Sequence, residues 1–202
     1  MKSEAPSSSG ERVEDALPDH AICWRRIDEP GYDSAALVRL AAEWHLSGTA
    51  VFTHDREPCR LDYLVACDER WRTCWTRVTG WIGRRVVQVE VVVDTEGRWR
   101  LNDAESAAVA GASDIDFEFS PSTNLLPIRR VGLQVGQAAP VRAAWLRFPS
   151  LTLEPLDQVY RRTGPTTYRY ESAGGAFVGD LVVNAAGFVT RYADFWEAES
   201  TA

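Results

Sequence analysis

Apolar and polar residues alternate along most of the chain. Between Glu43 and Thr53, the residues Trp44, Leu46, Gly48, Ala50 and Phe52 share one parity, and Leu61, Tyr63, Val65 and Cys67 repeat the pattern. A period of two sends successive side chains to opposite faces of a strand, so each stretch predicts a strand with one buried face. Arg72 to Ile82 carries Trp75 and Trp81 on one parity, and Arg84 to Asp94 carries Val87, Val89, Val91 and Val93. Short turn signals lie between them, at Asp55 to Pro58, Glu69 to Arg72, Gly83 and Asp94 to Gly97. Strands joined by turns this short form an antiparallel meander.

The same alternation continues in the second half, where Ile115, Phe117 and Phe119 interleave with Asp114, Asp116 and Glu118. Further strands are expected near 141–148, 152–162, 166–172, 177–184 and 188–196. Two stretches read as helix: Ser34 to Ala42, rich in Ala and Leu, and Ser120 to Val131, which Pro127 should keep short or broken. Residues 1–20 are rich in Ser, Pro and charge without an apolar period and are expected to form a disordered arm. Residues 21–198 contain no linker and no repeat, so a single domain is expected. It should be mainly β: a large curved antiparallel sheet of about ten strands, covered by one or two short helices. Many strands carry large residues on both faces, so the sheet must be covered on both sides or curl into a half-barrel or incomplete barrel. A concave interior too wide to fill with its own side chains holds a ligand.

Composition narrows the classes. The 202 residues contain no apolar run of the ~18 residues that an integral membrane segment requires. Twenty-two basic against 29 acidic residues leave a net charge of −7, opposite to what a nucleic-acid surface needs. The first twenty residues lack the apolar stretch of a secretory leader, which predicts a cytoplasmic protein. Cys23, Cys59, Cys67 and Cys74 form no C-x-x-C, and His20, His45 and His54 no ligand set, so neither a metal nor another cofactor is expected. The pairs Arg25-Arg26, Arg84-Arg85, Arg129-Arg130 and Arg161-Arg162 should each place one Arg in solvent and one in a bonded position.

Signatures of common enzymes are missing: there is no G-x-S-x-G, H-E-x-x-H, phosphate-binding lysine loop or G-x-G-x-x-G. One constellation bears on catalysis. Asp114, Asp116 and Glu118 on one strand face would stand ~6 to 7 Å apart, within the range used for glycoside hydrolysis. An enzyme acting on a glycan or ester, with Asp116 working alongside Glu118 or His45, is therefore an alternative. The plainer reading of such a row is a solvated face.

The run D-I-D-F-E-F-S-P-S-T-N-L-L-P-I-R-R from Asp114 to Arg130 closely resembles the hallmark segment of the putative glycolipid-binding domain family, a bacterial family. Other pieces agree in order and spacing: Cys23-Trp24-Arg25, L-S-G-T-A at Leu46 to Ala50, Y-L-V-A-C-D-E-R-W-R-T at Tyr63 to Thr73, A-A-W-L-R-F-P at Ala143 to Pro149, and Tyr168-Arg169-Tyr170. The likeness runs over roughly residues 22 to 196. It implies a curved antiparallel sheet covered by a helical segment, similar to carriers that shuttle lipoproteins between bacterial membranes. In that picture Ser120 to Arg130 crosses from strand to cover, with Ser122, Thr123 or Asn124 capping the helix and Arg129 and Arg130 at its basic end.

These features lead to a non-enzymatic carrier or sensor whose partner is a small amphipathic ligand, a glycolipid or fatty-acyl compound. Trp and Tyr bury large apolar area while addressing a polar head through a ring N–H or hydroxyl. Trp44, Trp75, Trp81, Trp99 and Trp145 are the expected lining, Arg77, Arg129 and Arg169 the expected head contacts, and Asn124 a further expected ligand-binding residue.

Overall fold

The computed structural model describes residues 18–201. The expected N-terminal arm lies, as far as residue 17, outside the described residues. The rest forms a single sheet of fifteen strands. In chain order these are β1 (His20–Arg26), β2 (Gly31–Leu40), β3 (Glu43–His54), β4 (Glu57–Cys67), β5 (Thr73–Ile82), β6 (Arg85–Val93), β7 (Trp99–Leu101), β8 (Ala104–Glu105), β9 (Asp114–Phe117), β10 (Ala138–Leu146), β11 (Leu153–Arg162), β12 (Thr167–Ser172), β13 (Phe177–Val183), β14 (Val189–Tyr192) and β15 (Trp196–Thr201). A 3-10 turn (Ser122–Asn124) and the helix α1 (Leu125–Val131) follow β9.

The spatial order runs β8 to β1, then β15 back to β9, so two meanders are joined where β1 pairs with β15. Each neighbouring pair is antiparallel except β9 and β10. Tight turns make the meander possible: Asp55 and Arg56 between β3 and β4 both have positive φ, 50° and 66°. That is the geometry whose twist matches a right-handed hairpin. The sheet curves strongly but stays open. Its β9 edge curls back until Ser113 and Ile115 hydrogen-bond to the backbone and side chain of Thr73 at the start of β5.

Three expectations are corrected. The expected helix at Ser34 to Ala42 does not form; residues 34–40 belong to β2 and 41–42 to the turn before β3: Asp33, Ala35 and Leu37 are buried while Tyr32 and Ser34 are exposed, and pairing with β1 and β3 overrides the helix preference of Ala and Leu. The strand count is fifteen rather than about ten. The expected strand at 188–196 breaks into β14 and β15 at Ala193, whose φ is +42°. The second predicted helix forms, shortened to α1, with Pro127 tolerated in its first turn.

The concave side is largely filled. Ile115, Phe117, Phe119, Leu125 and Leu126 are each at most 2% exposed and pack against Leu37, Leu46, Leu61, Val65 and Val78 of β2 to β5. At roughly 2 kcal/mol per buried large side chain these five contribute on the order of 10 kcal/mol, comparable to the whole net stability of a domain. The crossing segment is thus a permanent part of the core, not a lid. A second, smaller core joins Ile128 of α1 to Tyr160, Tyr168, Tyr170, Leu181 and Val189 of β11 to β14.

Candidate functional site

Strand β9 divides the molecule, and its alternating residues explain how. Ile115 and Phe117 face the larger core. Asp114, Asp116 and the following Glu118 face the other way, and each finds its own partner. Asp114 is bound by Arg130 of α1 at 2.6 to 3.2 Å. Asp116 accepts from the Gln158 amide at 2.8 Å, and Glu118 accepts from Arg147 Nε at 2.9 Å and the Phe148 N–H at 2.8 Å. The row of acids is therefore not a solvated face: Asp114 is buried, Asp116 partly so, and only Glu118 is exposed.

Beside this row a cleft of about 450 Å³ opens between the crossing segment and the strands β10 to β15. Its floor is polar, with Asp116, Ser120, Asn124, Tyr170 and Ser172. Its walls are aromatic, with Trp145 on one side and Phe177, Tyr192, Phe195 and Trp196 on the other. Phe177, Tyr192 and Phe195 brace one another: Phe177 lies 6.0 Å from Tyr192 and 5.6 Å from Phe195, and Tyr192 5.8 Å from Phe195, ring centre to ring centre. Two guanidinium groups back the indoles, Arg147 over Trp145 at 4.0 Å and Arg26 over Trp196 at 5.3 Å. At the mouth Arg26 is engaged by Asp28, 2.7 Å away.

Burial pushes the Asp116 carboxyl up to about 6, against the lowering effect of the Gln158 hydrogen bond; the nearby Asp114 and Glu118 charges add to the rise. Gln158 is 2% exposed. Its nitrogen donates both to Asp116 and to the Tyr170 hydroxyl, at 2.8 and 2.9 Å. Its own oxygen is buried without a partner. An orphaned carbonyl costs roughly 1 to 3 kcal/mol. The fold accepts that cost to hold the carboxylate and the phenol together at the cleft floor.

Behind the floor lies a fully buried network. Asp33 of β2 accepts from Tyr63 at 3.0 and 3.1 Å and from Ser120, whose hydroxyl also meets Ser122 at 2.7 Å. Burial raises the Asp33 carboxyl to about 7, opposed by the hydrogen bonds from Ser120, Tyr63 and the Ser34 N–H. Tyr63 fits only because position 48 is Gly: a Cβ there would stand 2.3 Å from the tyrosine oxygen. The network pins the start of the crossing segment to the sheet.

Of the nine residues expected from sequence to form the site, the fold brings Asn124 and Trp145 to the cleft and takes seven elsewhere. Trp75, Arg77 and Trp81 share the outer face of β5, with Arg77 and Trp81 exposed. Arg169 points outward from β12 and pairs with Glu171. Trp99 is 2% exposed in the larger core, its ring N–H donating to the Ala112 carbonyl. Trp44 stacks on Trp71 at 4.5 Å, and Arg129 lies over Trp71 at 4.9 Å. Asn124 does not cap α1; it accepts from the Tyr160 hydroxyl at 2.9 Å and donates to the Pro121 carbonyl. Thr123 and Ser122 do not cap it either, since Thr123 accepts from the Phe117 N–H. Tyr170, Phe177, Tyr192, Phe195 and Trp196 were not among the expected residues, although Tyr168 and Tyr170 flanking Arg169 were a legible sign of an aromatic inner face. The four cysteines are free thiols, with Cys59 and Cys67 buried. Among the described residues no cluster of three or more His, Cys, Asp or Glu could hold a metal ion, and no helix is long and apolar enough to cross a membrane.

An open, strongly curved, mainly β sheet with an inserted helical crossing is a barrel-like fold that other proteins share. The crystal structure of a beta-barrel-like protein of domain of unknown function DUF1849 from Brucella abortus superposes with a TM-score of 0.51 over 92% of this chain and 97% of that one, at 10% identity. A DUF1089 family protein from Pseudomonas aeruginosa superposes with a TM-score of 0.70 at 31% identity, over 79% of this chain and 88% of that one. Among curated proteins no match was found. The model of the family described as "Putative glycolipid-binding" matches residues 21–198, and the chain belongs to that family.

Proposed function

We propose that the protein is a non-enzymatic binding or carrier protein that holds an amphipathic ligand, a glycolipid or related acyl compound, in the cleft between the crossing segment and β10 to β15. The observation that carries this is the composition of the cleft: about 450 Å³ with aromatic walls around a small set of polar groups. Ligand sites are typically concave, mostly apolar and fitted with a few placed polar atoms, at volumes of ~300 to 1,000 Å³. The family description supports the ligand class.

Trp145 and Trp196 on the cleft walls supply the test. Titration of intrinsic Trp fluorescence with alkyl glycosides and fatty acids should give a saturable change. The change should shrink in Trp145→Phe and Trp196→Phe, and no saturable response to any amphiphile would overturn the proposal.

A hydrolase is the second reading, favoured by one observation: the Asp116 carboxyl lies near 6, the range of a general acid, at the floor of a cleft. Its weakness is the second carboxylate. Glu118 is held by Arg147 and the Phe148 N–H, and Asp28 by Arg26. Release of nitrophenol from nitrophenyl glycosides or esters, lost in Asp116→Asn, would establish this reading instead.

A further inference from the structure

Resting on the reading of the cleft as an amphiphile site, we propose that it receives the head of the ligand rather than its chain, and that this head is an uncharged sugar whose hydroxyls are accepted by Asp116. An ionised carboxylate accepts only, at about four lone-pair positions. Among the described residues only Gln158 donates to Asp116, and only to Oδ2. The remaining positions open onto the cleft, and vicinal hydroxyls of a sugar ring are the donors that suit them. The Tyr170 hydroxyl, already accepting from Gln158, keeps its own proton to give. Phe177, Tyr192 and Phe195 offer apolar ring surface to the C–H faces of such a ring.

Charge decides against the other heads. A phosphate or carboxylate would have to enter beside Asp116, which has no cationic partner, while Arg26, the basic residue on the lining, is already paired with Asp28 and Glu29. An ammonium would suit an aromatic cage, yet the two indoles already face guanidinium groups, from Arg147 at 4.0 Å and Arg26 at 5.3 Å. A further cation there would meet like charge. The volume agrees, since about 450 Å³ is in the lower part of the usual range for ligand cavities and suits a head better than a whole lipid.

The test is calorimetric titration of the full chain, below micelle formation, with dodecyl maltoside, dodecyl phosphate and dodecyltrimethylammonium. Dodecyl maltoside should bind at least ~10-fold more tightly than the other two, and maltose alone should compete with it. Asp116→Ala should weaken the maltoside ~10- to 100-fold, the effect of losing charge-assisted hydrogen bonds. The same variant should strengthen dodecyl phosphate. Should that variant not fold, Phe195→Ala at the exposed rim should weaken maltoside and maltose alike. Equal affinity for the three heads, or preference for a charged one, overturns the sugar assignment and leaves the amphiphile site standing. Binding of none of them overturns both.

Discussion

The carboxylate of Asp114 and the guanidinium of Arg130, sixteen residues apart, form a two-pronged pair with Nε 2.9 Å from Oδ1 and Nη2 2.6 Å from Oδ2. It ties the first residue of β9 to the last turn of α1, and Asp114 is 1% exposed. Removing one partner of a buried pair leaves the other charge stranded. Arg130→Met should therefore lower stability by about 3 kcal/mol, and Asp114→Leu with Arg130→Met should recover most of it. Urea denaturation checks both. A loss below ~1 kcal/mol in the single variant would mean that the pair is not needed to hold the crossing segment.

Gly48 makes room for Tyr63. Its substitution by Ala would place a Cβ 2.3 Å from the tyrosine oxygen and 2.6 Å from the Ser34 carbonyl. Gly48→Ala should cost about 1 to 3 kcal/mol. Tyr63→Ala removes the ring, whose Oη and Cζ would stand 2.3 and 2.4 Å from that Cβ, and leaves only the Ser34 carbonyl in the way, so the double variant should be less destabilised than the sum of the singles. Thermal melting of the four proteins measures the coupling, and strict additivity would contradict the assigned fit.

Much of this architecture was legible in the alternation of residues. The strands from Glu43 to Val93 follow from period two, and so does the two-faced character of β9. Other elements were hidden for specific reasons. In β2 the helix-favouring run Ala35-Ala36-Leu37 masked a strand that neighbouring backbone pairing imposes, and β7 and β8 are too short to show a period. The outward face of Trp75 and Trp81 could have been recognised from Arg77 between them on the same parity. The partners of the acidic row were not readable, because Gln158 reaches Asp116 across 42 residues and Arg147 reaches Glu118 across 29. The cleft walls combine Trp145 of β10 with residues of β13 to β15 later in the chain, separated from it by β11 and β12, so local spacing did not reveal them.

Asp33 gives the molecule a pH dependence whose sign can be derived. Its carboxyl is raised from 3.8 to about 7 in the folded state, so the native protein binds a proton more tightly than the unfolded chain does. The stabilisation from that proton is fully present below about pH 4 and is lost as pH rises toward 7. Asp33→Asn, which is neutral throughout, should gain on the wild type by a few kcal/mol between pH 5 and 8. Parallel urea titrations across that range measure the difference, and a gap independent of pH would contradict a raised Asp33.

The most direct measurement of the cleft's role is native mass spectrometry of the full chain, purified without detergent from its own host, beside an Ala176→Trp variant. Ala176 is an exposed residue of the cleft lining, so an indole there fills the space without disturbing the core. The wild type should carry an added mass that organic extraction removes and identifies as a lipid, and the filled variant should not. A wild-type protein of bare chain mass, or an adduct retained equally by the filled variant, would contradict a ligand held in this cleft.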